Sequence, residues 1–169
     1  MRVITSLFVV TFLLISFTTL AENEKLNFSG EWSLNEEKSE LGEGRRRMAS
    51  SKLSISQEGN TLTIERLLKR RSGEEFKVKE KYTLDGKECE NTVYERPKKS
   101  VVTWSKDGKS LNITSKIVFE RDGNEFEFNT VEMWKLVDEG NSLSIEYTSQ
   151  STRGERKNTY VYDKVEGNK

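Results

Sequence analysis

Two glutamates stand where an alternating strand would place an apolar side chain. Glu80 falls in phase with Val78 and Tyr82, and Glu132 falls in phase with Thr130 and Trp134. A carboxylate turned toward a protein interior is unfavourable unless it is paired or hydrogen-bonded. Such a residue is swung outward by a bulge, joins an internal salt bridge, or meets the polar end of a ligand in a cavity. A pair of carboxylates can also hydrolyse glycosidic bonds, which makes a carboxylate hydrolase the catalytic alternative. The rest of the chain offers catalysis little. No His occurs among its 169 residues, which removes His-based triads, imidazole metal ligands and imidazole pH switches. Cys89 therefore has no imidazole to activate it and reads as a small, semi-buried thiol. As the single Cys, it cannot form an internal disulfide. There is no phosphate-cradling Gly loop, no Gly-x-Ser-x-Gly elbow and no dinucleotide fingerprint. No catalytic residue, metal site or cofactor is expected.

Charge narrows the partners. Lys and Arg total 28 and Asp and Glu total 28, a balance that argues against a nucleic-acid surface or a polybasic membrane binder. Two basic clusters interrupt that balance, Arg45-Arg46-Arg47 and Lys69-Arg70-Arg71. Each is flanked by acids (Glu36, Glu37 and Glu40; Glu74 and Glu75), the pattern of solvated loops. The competing reading is an anionic headgroup or polysaccharide site near a barrel mouth.

The first 21 residues read as an export signal, with Arg2 as the positive start, an apolar run over Val3–Leu20 and a small-x-small end at Thr19-Leu20-Ala21. Residues 22–169 then form one domain, exported to a periplasmic or extracellular location, with no membrane span in the mature chain. No Cys follows the signal, which excludes lipidation at a mature N-terminal Cys.

The elements that must position these residues are strands. One phrase recurs, an acid followed by Gly, Asn or Lys, Ser or Thr, and Leu-x-Ile: Glu58–Ile64, Asp107–Ile113 and Glu139–Ile145. Gly supplies the positive φ that a tight hairpin turn needs, and Leu-x-Ile puts two apolar side chains on one face of the outgoing strand. Shorter versions stand at Asp85-Gly86-Lys87 and Asp122-Gly123-Asn124. Reading between turns predicts strands over 29–34, 52–57, 60–67, 75–84, 89–95, 100–105, 109–119, 125–137, 142–149 and 156–164. Alternation sends Phe76, Val78 and Tyr82 inward, with Leu111, Ile113, Ile117 and Phe119, and with Phe126, Phe128, Trp134 and Leu136. The fold class predicted is all-β: a single antiparallel up-and-down meander barrel of about 8–10 strands, with a two-sheet β-sandwich as the alternative. One long connection, 35–51, has the length of a lid or binding loop.

The stretch Phe28-Ser29-Gly30-Glu31-Trp32-Ser33-Leu34 resembles the Gly-x-Trp opening of lipocalins and their calycin relatives. The longer run FSGEWSLNEEKSELG is similar to the start of a group of exported bacterial proteins with lipocalin-like barrels. Glu132–Leu136, Gly140–Ile145, Arg153-Gly154-Glu155 and Tyr162-Asp163-Lys164 extend that similarity. The resemblance implies that Gly30 and Trp32 close one end of the barrel, with Arg153 or Arg156 covering the indole. It also implies a small apolar ligand inside. A second Thr-Asp-x-x-Tyr motif, a helix after the last strand and the family's disulfides are all missing.

The function expected is non-enzymatic binding or carriage of a small hydrophobic or amphipathic molecule. The cavity-lining candidates are Phe76, Glu80, Tyr82, Ile113, Phe126, Phe128, Thr130, Glu132 and Tyr147. The alternative is a cell-envelope protein-interaction or structural module with a filled barrel. Inward Phe and Tyr with few Gly or Ala favour that filled lumen.

Overall fold

The computed structural model describes residues 25–41, 49–70, 72–152 and 154–165. The expected signal, the Arg45-Arg46-Arg47 cluster, Arg71 and Arg153 lie outside the described residues. Ten strands follow one another: β1 (Gly30–Leu34), β2 (Lys52–Glu58), β3 (Thr61–Lys69), β4 (Glu75–Thr83), β5 (Glu88–Val93), β6 (Arg96–Trp104), β7 (Ser110–Arg121), β8 (Asn124–Val137), β9 (Ser142–Ser151) and β10 (Gly154–Lys164). All lie in a single sheet of order β4-β3-β2-β1-β10-β9-β8-β7-β6-β5. The ends of the chain meet where β1 pairs with β10, Trp32 opposite Lys164. The meander is thus a nearly closed barrel, and the sandwich alternative is excluded by the single sheet. Glycines of the repeated turns hold the required left-handed backbone, Gly59 at φ 55° and Gly123 at φ 72°.

β6 starts four residues earlier than the sequence suggests. The β5–β6 turn is built from Tyr94 (φ 53°) and Glu95 (φ 62°), residue types that rarely adopt this backbone, and Pro97 follows at once. Neither signal reads as a hairpin. The consequence is functional, because the early start brings Lys98 into the inward phase with Ser100 and Val102.

The interior is layered. At one end Phe28, Trp32, Leu53, Leu62, Ile64, Leu111, Ile113, Trp134, Leu143 and Ile145 form a close-packed core. Lys25–Ser29 crosses this end and is fastened there: the Leu26 amide donates to the Gly108 carbonyl, and Gln57 bonds Leu26 and Phe28. The Phe28 ring then packs 6.0 Å from Trp104 and edge-on to Trp134. At the other end Leu68, Val78 and Val93 make a small separate cluster with Phe76. Polar side chains lie between the two: the half-buried Arg66 and the buried Glu80, Lys98, Ser100, Ser115, Thr130, Glu132 and Ser149.

β4 and β5 share no backbone ladder, although a hairpin joins them. Asn91 on β5 spans the gap with its side-chain amide. Its Oδ1 accepts the Lys81 N–H at 2.7 Å and its Nδ2 donates to the Lys81 carbonyl at 3.0 Å, as a neighbouring strand would. Replacing Asn91 by Ala is expected to lower stability by about 1–2 kcal/mol and to speed hydrogen exchange at the Lys81 amide. Unchanged exchange at Lys81 would show that the gap is held by other means.

Candidate functional site

The polar layer is organised by Arg66, which β3 turns inward in phase with Leu62 and Ile64. Its Nε donates to Glu80 Oε2 at 2.9 Å, and its Nη2 reaches both oxygens of Glu132 at 3.0 and 2.8 Å. Lys98 approaches Glu80 from β6, donating to Oε1 at 2.6 Å and to the Tyr82 hydroxyl at 3.2 Å. The Tyr82 hydroxyl itself donates to Glu80 Oε1 at 2.7 Å. Trp134 Nε1 donates to Glu132 Oε2 at 2.9 Å and ties the cluster to the filled core. Two cations thus face two carboxylates, each carboxylate held by several donors.

Burial by itself would raise the pKa of Glu80. The Arg66 and Lys98 charges, with hydrogen bonds from Lys98 and Tyr82, outweigh it and hold the carboxyl down at about 2. Arg66 shows the mirror effect: burial opposes its charge, but Glu132 and Glu80 raise it well above its ordinary value. Tyr147 is pushed well above the usual phenol range, first by burial and then by the charge of Glu132. Glu80 and Arg66 are therefore ionised, and Tyr82 and Tyr147 are protonated.

Above this layer lies a cavity of about 140 Å³. Its floor is Arg66, Glu80, Lys98, Thr130 and Glu132, and its walls are Leu68, Val78, Val93, Ile117, Phe128 and Tyr147. Tyr94, from the left-handed turn, stands at its rim and packs edge-on against Phe76 at 5.7 Å. Phe128 also lines a second, outer recess of about 300 Å³ with Phe119, Phe126, Glu127 and Arg156. There Phe119 stacks on Phe126 at 5.6 Å, and the Arg96 guanidinium lies 4.1 Å from the Phe119 ring centre.

The positions singled out from the sequence divide between these regions. Glu80, Phe128, Thr130, Glu132 and Tyr147 surround the inner cavity, and Phe126 lies in the outer recess. Phe76 packs behind the cavity, against Tyr94 at its rim and against the Leu68, Val78 and Val93 wall. Tyr82 is buried beneath the floor, where it holds Glu80 and Lys98 rather than presenting a free wall. Ile113 sits in the core cluster, completely buried. Of the readings open for Glu80 and Glu132, no bulge swings them outward; both form the internal salt bridge and line the cavity. At the other end Trp32 is buried and donates from Nε1 to the Phe28 carbonyl at 3.1 Å. The cation over its ring is Lys164, 5.5 Å from the centre, whereas Arg156 lines the outer recess at the far end. Gly30 adopts φ 145° beside the indole, and a Cβ there would touch the Lys164 side chain. Cys89 is half-buried and free, its thiol 3.3 Å from the Ser100 carbonyl.

No protein-family model matches the chain, and no curated protein is similar to it in sequence. Among solved structures it is similar to the zebrafish ileal bile acid-binding protein in complex with cholic acid. That likeness has a TM-score of 0.52 at 17% identity and covers 82% of this chain and 98% of that one. At this identity the likeness is one of fold, a calycin-like barrel of ten antiparallel strands.

Proposed function

We propose that this protein is an exported, non-catalytic carrier that holds one small hydrophobic or amphipathic molecule in the open half of its barrel. The observation that carries this reading is the division of the interior. One half is a continuous buried core, while the other keeps an apolar-walled cavity over a polar floor, with Phe128 shared between it and an aromatic outer recess. The zebrafish protein with the same barrel architecture holds cholic acid, which supports the use of such an interior for an amphipathic ligand. The N-terminal segment supports export to a bacterial periplasm or the medium.

Native mass spectrometry on the protein purified from its own host tests both parts. A chain beginning at Glu22 with an apolar molecule at near one-to-one is the expected result. A chain that is ligand-free and takes up no fatty acid or other apolar compound would overturn the carrier reading. Retention of residues 1–21 would overturn export by cleavage.

A further inference from the structure

We propose that the cavity selects an uncharged amphiphile, an apolar chain ending in a neutral oxygen acceptor such as a hydroxyl or ester, over the matching carboxylate or ammonium. This inference rests on the carrier reading and specifies the ligand's head group. The floor carries two positive and two negative groups, Arg66 and Lys98 against Glu80 and Glu132, so it has no net charge to offer an ion. The carboxylates are already committed. Glu80 receives Arg66, Lys98 and Tyr82, and Glu132 receives Arg66 twice and Trp134. An arriving carboxylate would lose its hydration and meet two fixed anions at close range in a low-dielectric interior. An arriving ammonium would meet Arg66 and Lys98 in the same way.

Donors, by contrast, are left over. Arg66 has five N–H groups and Lys98 has three. Those of Arg66 Nε and Nη2 are spent on the two glutamates, and Lys98 spends two on Glu80 and Tyr82. Arg66 Nη1 meets no acceptor among the described residues, although Arg66 lines the cavity. A neutral oxygen accepts such a donor without adding charge.

The test is a displacement titration at pH 8 on delipidated protein from its own host, with 1-aminoanthracene as the neutral fluorescent occupant. The competitors are 1-dodecanol, dodecanoate and dodecylammonium. The alcohol is expected to displace the dye at a concentration at least about 10-fold below either ion. The stronger readout is how that order changes with floor charge. Glu132→Gln leaves the floor net positive and should improve dodecanoate about 10-fold relative to the alcohol. Lys98→Met leaves it net negative and should improve dodecylammonium instead. If one variant fails to fold, the other still decides. An ion that binds as well as the alcohol to the unaltered protein, or ratios that do not move in a folded variant, would overturn the inference and leave the carrier reading standing. Failure of the dye and all three competitors to bind would overturn both.

Discussion

Arg66→Met is expected to destabilise the barrel by about 3–5 kcal/mol, the range found when one partner of a buried ion pair is removed. The loss falls unevenly on the two glutamates. Glu80 keeps Lys98 and the Tyr82 hydroxyl, whereas Glu132 keeps only Trp134 Nε1. Adding Glu132→Gln to Arg66→Met should therefore recover most of the loss, and adding Glu80→Gln should recover little. The pH dependence gives an independent reading. In the unaltered protein the Glu80 carboxyl is depressed from its usual 4.5 to about 2. Its stabilisation, on the order of 3 kcal/mol, is complete above the unfolded value and lost as pH falls from about 4.5 toward about 2. In Arg66→Met the Glu80 carboxyl loses the larger of the two charges that hold it down, so this loss of stability on acidification should become shallower. Urea denaturation at pH 7, 5 and 3 on both proteins distinguishes the slopes. A loss below about 1 kcal/mol, or equal slopes in the two proteins, would show that the cluster does not hold the interior.

Thr130→Phe is expected to weaken ligand binding by at least about 100-fold while leaving the fold intact. Thr130 is buried on β8 between Phe128 and Glu132, and its side chain borders the cavity of about 140 Å³. A phenyl ring there occupies the space above Arg66 that a ligand's inner end would take, removing ~3 kcal/mol of contact. Because the ring fills existing space, the overpacking that usually accompanies a small-to-large change should be slight. The matched control is Ile113→Val in the filled core, which should cost about 1 kcal/mol of stability and leave affinity unchanged. Dye binding by both variants, with thermal unfolding alongside, checks the pair. Unchanged affinity in a folded Thr130→Phe protein would place the ligand outside this cavity.

The architecture was legible because its signals are local. Acid-Gly turns and period-two alternation act over a few residues, and both survive in the observed strands with shifts of a residue or two at most boundaries. β6 is the exception, since Tyr94 and Glu95 make a left-handed turn without Gly or Asn. The site was legible only in part. Glu80 and Glu132 stood out because carboxylates in an apolar phase are conspicuous. Arg66 shared the phase of Leu62 and Ile64 in the same way, but a long cation is expected to reach out to solvent past its strand. Its inward course is fixed by glutamates 14 and 66 residues away, which no local pattern reports. The room for a cavity was also misjudged. Space comes less from Gly or Ala than from buried Ser100, Ser115, Thr130 and Ser149, small polar residues that the strands turn inward, of which the sequence reading marks Thr130 alone. Among the described residues the cation over Trp32 is Lys164, opposite it in the β1–β10 register; of the two arginines the resemblance implies, Arg156 lies in the outer recess and Arg153 outside the described residues.

Nine antiparallel ladders join the ten strands among the described residues, and the tenth joint is made by side chains. A barrel's girth is set by its strand number. In a fully laddered barrel, adding two strands means opening a ladder and re-forming it elsewhere. Here a hairpin inserted at Asp85–Lys87 would extend the two free edges and leave all nine ladders in register, at the expense of Asn91's two bonds. Girth is therefore a trait that one insertion at one turn can alter, and the seam is the place where descendants of this fold would acquire a wider lumen.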